Sequence, residues 1–222
     1  ISVQDALINI TDREIKLRNK RAAQIQVSVS HFPYVKTLDD YDYTYQPSVN
    51  KVEIKDLATL RFMEHAENIL FFGTPGTGKT HLATALGIEA AQHRNITYFI
   101  TCHDLIQTLR KAYDENRLEA RLKHFAKYKL LIIDEIGYLP IDKTGANLFF
   151  QLIAKRYERT STIITTNQPF SKWGEVFSDA MLANAILDRL LHHAHVIKMV
   201  GPSYRTKDYY ELLDGDEQKA SR

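Results

Sequence analysis

The sequence is poor in cysteine and in long apolar stretches. Its single cysteine, Cys102, cannot form an intrachain disulfide, which suits a reducing compartment. No apolar run approaches the length of a membrane-spanning helix, and the chain does not open with a signal-peptide pattern. These absences exclude a disulfide-stapled secreted scaffold and an integral membrane protein, so we expect a cytoplasmic protein with no membrane partner.

The chain also lacks a strong excess of either charge. Lysine and arginine number 29 against 27 aspartate and glutamate residues, which gives a formal net charge of +2. This balance neither requires nor excludes a nucleic-acid partner, so any basic surface must be local. Internal repeats and low-complexity tracts are missing too, and an apolar content of 44% supplies enough material for a sizeable core.

The sequence does contain a phosphate-binding loop pattern. Residues 73–80 read Gly-Thr-Pro-Gly-Thr-Gly-Lys-Thr and match G-x-x-x-x-G-K-[ST] at every fixed position. A Cβ at Gly73 or Gly78 would keep the backbone amides from the phosphates. Lys79 would reach the β- and γ-phosphates, and the Thr80 hydroxyl would ligate Mg²⁺ where a helix dipole also favours anions. The pattern predicts a nucleoside triphosphate binder rather than an accidental glycine-rich turn.

Short apolar runs alternate with longer amphipathic segments from residue 68 onward. This alternation predicts β-α units, and hence an α/β fold with a parallel five-stranded sheet flanked by helices. The runs cover residues 69–72, 96–101, 130–134, 161–166 and 195–200.

Three regions are expected along the chain. Residues 1–45 would form a helical appendage and a linker, residues 46–210 the nucleotide-binding domain, and residues 211–222 a frayed polar tail. The segment Thr11-Asp-Arg-Glu14 offers a capping box for the appendage helix. Because residue 1 is isoleucine rather than methionine, we expect further residues in front of it.

Two acids close the third apolar run. Asp134 and Glu135 stand where a buried parallel strand would deliver carboxylates at its C-terminal edge. Asp134 should hold Mg²⁺, directly or through water, which leaves Glu135 to orient and deprotonate the attacking water. Strands often end in acidic turns, but the position two β-α units after Lys79 favours the functional interpretation.

Three further polar residues complete the candidate site. Asn167 ends the fourth run, where it would position water, and a turn-forming asparagine is the alternative. Arg189 lies in a helix-like segment over residues 178–191 and could act in trans on a neighbouring subunit's nucleotide. Arg205 is a second arginine for transition-state charge, and both arginines could instead form surface ion pairs.

Local basic clusters are the candidates for DNA contact. Seven lysines and arginines outnumber three acids between residues 110 and 129, and Lys155, Arg156 and Arg159 form a smaller cluster. Such surfaces track phosphates without reading sequence, while a solvated helix face is the alternative. The basic residues 13–21 could contact DNA or a partner protein.

The three histidines near residue 193 raise the question of a metal site. No cysteine or carboxylate stands near them at a recognised metal-site spacing. We therefore interpret His192, His193 and His195 as packing or capping residues.

Five motifs together resemble one family, the IstB-type helper ATPases of insertion-sequence transposons. These ATPases are close relatives of DnaC-type helicase loaders in the AAA+ superfamily. The resemblance covers nearly the whole chain; its ATPase motifs are superfamily-wide, whereas Asp-Arg-Leu-Leu-His-His and Ser-Tyr-Arg are more specific. The matching segments are residues 73–83, 130–140, 165–173, 185–193 and 201–205.

The resemblance implies an AAA+ P-loop NTPase fold and a role for each candidate residue. It implies catalytic roles for Lys79, Glu135, Asn167 as sensor 1 and Arg189 as arginine finger, and a metal site at Thr80 and Asp134. The implied nucleotide-binding residues are Gly73, Thr74, Pro75, Gly76, Thr77, Gly78, Lys79, Thr80, His81 and the sensor 2 arginine Arg205.

The resemblance also implies cofactors and partners. ATP and Mg²⁺ would be bound, copies would assemble as rings or helices on duplex DNA with little sequence preference, and target DNA would be delivered to a transposase. A helicase loader is the alternative, and a small-molecule phosphotransferase is disfavoured because no acceptor-binding insert is found.

The sequence departs from the family pattern in a few places. Tyr41 and Tyr43 stand where phenylalanine is usual, and the amino-terminal region looks truncated. Too few residues follow Arg205 for a full helical lid, so a neighbouring protomer would cover the nucleotide.

Overall fold

A parallel sheet organises the molecule. The computed structural model describes residues 2–207, and its strands are β1 (Asn68–Gly73), β2 (Thr97–Thr101), β3 (Leu130–Ile136), β4 (Ser161–Thr166) and β5 (Ala194–Met199). They pair in parallel in the order β2-β3-β4-β1-β5. Each predicted apolar run is a strand, which confirms the predicted five-stranded parallel sheet.

Helices connect the strands, and several begin at a residue whose side chain caps the first turn. The helices are α1 (Val3–Val29), α2 (Lys51–Leu57), α3 (Lys79–Gln92), α4 (Cys102–Asp114), α5 (Leu118–Ala126), α6 (Lys143–Arg156), α7 (Trp173–Val176) and α8 (Ala180–Leu191). At the starts of α2, α4, α6 and α8, backbone amides donate hydrogen bonds to the side-chain oxygens of Asn50, Thr101, Asp142 and Asp179, respectively.

The sheet is buried on both faces. Leu70 and Ile133 contribute to a core formed with α4 to α8, whereas Ile69 and Ile132 contribute to a second core formed with α2 and α3. Neighbouring residues of one strand thus face opposite cores, as the two-residue period of a strand requires. Burial on both faces explains why these strands read as continuous apolar runs rather than alternating ones.

The predicted amino-terminal helix is present, but the predicted capping box is wrong. Ser2 and Asp5 form the box, since the hydroxyl of Ser2 accepts from the Asp5 amide and the Asp5 carboxylate accepts from the Ser2 amide, both at 3.1 Å. Thr11 lies inside the helix, where its hydroxyl donates to the carbonyl oxygen of Leu7 at 2.8 Å. A threonine bonded to the preceding turn does not start a helix.

Two further expectations concern the carboxyl-terminal tail and membrane-spanning helices. The predicted polar tail over residues 211–222 lies outside the described residues. Within residues 2–207, none of the helices combines the length and hydropathy needed to span a bilayer.

Candidate functional site

The phosphate-binding loop connects the carboxyl end of β1 to the first turn of α3. Gly73 and Gly78 have φ angles of 140° and 88°, where side chains are rarely accommodated. A Cβ on Gly73 would collide with the backbone of Met199, and a Cβ on Gly78 with the ring of Tyr41. Gly78 provides no side-chain cap for α3, so the first amides of this helix stay available for an anion.

Lys79 lies inside the loop. Its Nζ donates to the carbonyl oxygens of Gly73 at 3.0 Å and Thr74 at 2.6 Å. Burial lowers the pKa of Lys79 to about 8, with Asp134 opposing this shift and Arg205 adding to it. The ammonium group has two neutral carbonyl oxygens as hydrogen-bond partners, and a phosphate would give it a partner of opposite charge.

The two acids follow one another at the carboxyl end of β3. Asp134 is buried, and its carboxylate lies 3.0 and 3.1 Å from the hydroxyl oxygen of Thr80. Burial raises the pKa of Asp134, although hydrogen bonds from Thr165 and Thr80 act in the opposite direction. Glu135 has an exposed side chain. The hydroxyl and carboxylate oxygens of Thr80 and Asp134 are the donor type that Mg²⁺ prefers, so these residues fit that ion.

One cavity of about 320 Å³ brings most of the candidate residues together. Residues 75–81 line it, together with Glu135, Asn167 and Arg205. Gly73 and Thr74 form the base of the loop behind Lys79. The Oδ1 atom of Asn167 is buried and has no hydrogen-bond partner among residues 2–207, so it is an acceptor available to water or ligand.

Arg205 reaches the cavity through the segment that follows β5. The Tyr204 amide donates to the carbonyl oxygen of Gly76 at 2.9 Å, which ties this segment directly to the phosphate-binding loop. Gln46 also holds the segment, because its Nε2 donates to the carbonyl oxygen of Pro202 at 2.7 Å. This backbone hydrogen bond to the loop thus fixes the position of the segment, so that Arg205 faces the cavity.

The linker before α2 forms a wall of the cavity, which the sequence did not predict. The Tyr41 hydroxyl donates to the carbonyl oxygen of Thr77 at 2.8 Å. The Nε2 atom of His81 lies 2.8 Å from the carbonyl oxygen of Thr37, and Tyr34 also lines the cavity. The available signal was the density of aromatic residues in a segment without helical or strand periodicity.

A threonine of β4 is a second residue that the sequence did not reveal. The hydroxyl of Thr165 donates to Asp134 Oδ1 at 2.5 Å and accepts from the Glu135 amide at 2.9 Å. It precedes Asn167 by two positions, but a threonine in a strand carries no signal of such a contact.

Arg189 lies apart from this cavity. It is not found among the described residues that line the cavity. Its Nη1 donates to the carbonyl oxygen of Ala185 at 2.9 Å, and its guanidinium carbon lies 4.8 Å from the centre of the Phe150 ring. The chain therefore does not bring Arg189 to its own phosphate-binding loop.

Several members of the basic cluster between residues 110 and 129 are paired within the chain. Arg110 pairs with Asp142, and Arg117 pairs with Glu115. Lys123 shares Glu119 with Lys155 of the second cluster, at 3.6 and 3.0 Å. Lys111, Arg121 and Lys129 form no ion pair with any residue in the range 2–207.

Arg156 was wrongly predicted as a candidate DNA contact. The side chain is buried, with 2% of the residue exposed. Its guanidinium donates to the carbonyl oxygens of Phe125 and Tyr128, both at 2.9 Å, and to the Thr162 hydroxyl at 3.0 Å. An arginine at the end of α6 can turn inward because carbonyl oxygens in and just after the last turn of α5 accept hydrogen bonds from its guanidinium.

The histidines lie away from the cavity, in two separate contacts. His195 Nε2 lies 2.9 Å from a carboxylate oxygen of Glu67. His192 and His193 lie 3.5 and 4.0 Å from a carboxylate oxygen of Glu158, in a solvent-exposed group. The fold thus supplies a carboxylate that the spacing in the sequence did not indicate.

Comparisons with known proteins agree with this geometry. A family model described as IstB-like ATP binding protein matches residues 1–211. The ATP-binding protein of insertion sequence IS232 from Bacillus thuringiensis subsp. berliner is 57% identical over 210 residues, covering 95% of this chain and 84% of that protein.

Two solved structures are similar in fold. The DnaC helicase loader superposes with a TM-score of 0.60 at 22% identity, covering 78% of this chain and 98% of that chain. DnaA from Aquifex aeolicus, bound to AMPPCP, superposes with a TM-score of 0.64 at 18% identity, covering 83% of this chain and 56% of that chain. At these identities the likeness shows the fold alone.

Proposed function

The chain belongs to the family of IstB-like ATP binding proteins, and from this we propose that it is a Mg²⁺-dependent ATPase. We propose further that it assembles on DNA and delivers target DNA to a transposase. The observation that carries the proposal is the single cavity in which Lys79, Glu135, Asn167 and Arg205 meet. Relatives named for insertion sequences support the transposition context.

Residues of the loop and of its surroundings would bind the triphosphate. Backbone amides of residues 73–80 and the first turn of α3 would donate to phosphate oxygens. Lys79 would exchange its bonds to loop carbonyls for bonds to the β- and γ-phosphates. Arg205 would contact the triphosphate from the opposite segment. Mg²⁺, held by Thr80 and Asp134, would supply charge neutralisation at the β- and γ-phosphate oxygens.

Hydrolysis would depend on two residues beyond the γ-phosphate. Glu135 lines the cavity and would accept a proton from the attacking water. The Oδ1 atom of Asn167, an acceptor without a partner in residues 2–207, would orient that water. Both residues suit an attack by water, which supports an ATPase over a small-molecule phosphotransferase.

The site would be completed by a second copy of the chain. Arg189 lies outside its own cavity, on α8, and would reach the nucleotide of a neighbouring subunit. Such an arginine typically contributes about 10³ to 10⁵ in rate in phosphoryl-transfer enzymes. Hydrolysis by isolated copies should therefore be slow.

DNA contact is proposed for three basic residues without an ion pair among residues 2–207, one each in α4, in α5 and in the loop before β3. Lys111 and Arg121 line one surface groove, and Lys129 precedes β3. Contacts to phosphates alone would give salt-sensitive binding without sequence preference. Repetition of the groove in an oligomer would add many weak contacts.

A helicase loader is the second candidate function. The chain shares its fold with the DnaC helicase loader, which the matched region covers almost completely, and this shared fold is compatible with such a function. In that case ATP would control the grip on a helicase and on single-stranded DNA. The two candidates share the nucleotide site and differ in the partner.

ATP hydrolysis measured against protein concentration, with and without duplex DNA, tests the ATPase proposal. The rate per copy should rise with concentration and with DNA, and Arg189→Ala should stay at the dilute rate. An equal rate per copy at all concentrations, or no Mg²⁺-ATP binding, would overturn the composite site.

A pull-down with ATP present separates the two partners. The transposase should be retained by the wild-type chain and a replicative helicase should not. Retention of the helicase alone would replace the transposition proposal with helicase loading.

A further inference from the structure

The third and fourth strands lose their residue-for-residue register at the two acids. β3 and β4 pair regularly up to Ile133, and pairing resumes at Ile136. Across this break β3 advances by three residues and β4 by two, which is the arrangement of a β-bulge. The extra residue leaves Asp134 and Glu135 opposite a single residue, Thr165.

The bulge places Glu135 in a disfavoured backbone conformation. Its φ is 62°, in the left-handed region that residues with a Cβ seldom occupy. The Glu135 amide donates to the Thr165 hydroxyl at 2.9 Å rather than to a carbonyl of β4. A side chain therefore satisfies the amide that the bulge removes from the strand pairing.

The same hydroxyl holds the other acid. A threonine hydroxyl has one proton to donate and two lone pairs to accept. The Thr165 hydroxyl donates its proton in a hydrogen bond to Asp134 Oδ1, at 2.5 Å, and accepts a hydrogen bond from the Glu135 amide. Only 2% of Thr165 is exposed, so water does not readily replace either bond.

We propose that Thr165 is a positioning residue for hydrolysis, acting on Asp134 and Glu135 through one hydroxyl. This inference rests on the ATPase function proposed above. The bond to the amide keeps Glu135 in its left-handed turn, so that its carboxylate lines the cavity. The bond to the carboxylate fixes Asp134 toward Thr80. The hydroxyl carries the function, and the methyl group only fills space.

Four variants separate the effect of the hydroxyl from that of its surroundings. Thr165→Val removes the hydroxyl at nearly constant volume, and Thr165→Ser keeps it. Thr97→Val is the matched control, because Thr97 is 1% exposed and begins the edge strand β2, whereas Thr165 lies in the central strand β4. Thr165→Ala is a second variant without the hydroxyl, should valine prevent folding.

The kinetic test compares kcat and KM of assembled protein on DNA. Thr165→Val should lower kcat by about tenfold or more with KM for ATP changed less than about threefold, since Asp134 and Glu135 lose their positions while the phosphate-binding residues are unchanged. Thr165→Ser and Thr97→Val should stay near wild type in both constants. A wild-type kcat in Thr165→Val, or equal impairment in Thr165→Ser, would overturn the proposal.

Amide hydrogen exchange tests the same contact without any hydrolysis. The Glu135 amide should be protected in the wild type, Thr165→Ser and Thr97→Val, and should exchange about tenfold faster or more in Thr165→Val. Equal exchange in the wild type and Thr165→Val would refute the positioning role. If the wild type bound DNA but did not hydrolyse ATP, the proposed function would fail, and the exchange data would still decide the role of Thr165.

Discussion

At the scale of single residues, burial decides how the charged groups around the loop behave. The Lys79 ammonium is bonded to neutral carbonyl groups, and burial lowers its pKa to about 8. Burial acts on Asp134 in the opposite sense and raises its pKa. In both residues burial shifts the equilibrium toward the neutral form, and a nearby group of opposite charge would shift it back toward the charged form.

ATP affinity should therefore weaken as pH rises above 8. The free protein loses the Lys79 proton near pH 8, and bound phosphates would raise the pKa of Lys79 in the complex. Binding is thus full below this pH and falls as pH increases, by at most about tenfold per pH unit. Titration with a fluorescent ATP analogue from pH 7 to about pH 9.5 measures this. Lys79→Gln should bind weakly at every pH, and a constant wild-type affinity would contradict the prediction.

Glu135→Gln should separate binding from hydrolysis. Glutamine keeps the shape of the side chain but cannot take a proton from water, and general bases contribute about 10² to 10⁴ in rate. Phosphate release should fall by about a hundredfold or more. Retained ATP, measured by filter binding, should match the wild type, and the assembly on DNA should persist longer. Normal turnover would remove Glu135 from the role of base.

At the scale of elements, the loop between β1 and α3 depends on a linker from elsewhere in the chain. Tyr41 is buried and contacts the loop in two ways, through its hydroxyl on Thr77 and through its ring beside Gly78. The Tyr41 ring also packs edge-on against His81. The linker thus supports the backbone geometry that phosphate binding requires.

Tyr41→Phe should weaken ATP binding modestly without unfolding the protein. The substitution keeps the ring and removes one hydrogen bond, which is worth about 0.5–1.5 kcal/mol. The dissociation constant for ATP should rise by about two- to tenfold, measured by calorimetry. Tyr43→Phe, in the same linker, is the matched control and should bind as the wild type does. Equal effects of both substitutions would argue against a role for the Tyr41 hydroxyl.

Arg156 joins three elements and should matter for stability rather than for DNA. Its guanidinium links the end of α6 to one carbonyl group in the last turn of α5, to one just after α5, and to β4. Arg156→Met leaves these carbonyl groups buried and unpaired, so the free energy of unfolding should fall by about 3 kcal/mol in urea titrations. Arg159→Met, an exposed position three residues later, should change it by less than about 0.5 kcal/mol. Weaker DNA binding by stable Arg156→Met protein would contradict this assignment.

At the scale of the whole molecule, one copy holds two incomplete parts of the proposed site. The cavity of a copy contains Lys79, Glu135 and Arg205, whereas Arg189, on α8, packs on the Phe150 ring of α6. Two copies arranged head to tail would bring these parts together. The proposed activity is then a property of the assembly.

Mixing two inactive variants should restore hydrolysis. Lys79→Ala lacks nucleotide binding and Arg189→Ala lacks the arginine, but an interface between an intact Lys79 and an intact Arg189 is complete. Random mixing of equal amounts gives such an interface about one time in four, so about a quarter of wild-type phosphate release is expected. Adding the double variant to either single variant should restore nothing. Absence of rescue in the first mixture would argue against a shared site.

The sequence by itself determined the strands, the phosphate-binding loop and the order of the acids. Each of these depends on residues that are neighbours in the chain. Apolar runs predict strands because burial on both faces needs continuous apolar residues, and a glycine-rich loop is defined by its own spacing. The structure accordingly has strands at all five predicted runs.

Only the tertiary structure decided the contacts that join distant segments. Thr165 meets Asp134 across 31 residues of chain, and Tyr41 meets Thr77 across 36. Likewise, the burial of Arg156 and the separation of Arg189 from the cavity depend on how α5, α6 and α8 pack. The type of a side chain determines which hydrogen bonds and contacts it can form. Its partner, however, is a residue distant in sequence that folding brings close, so a local sequence pattern cannot predict that partner.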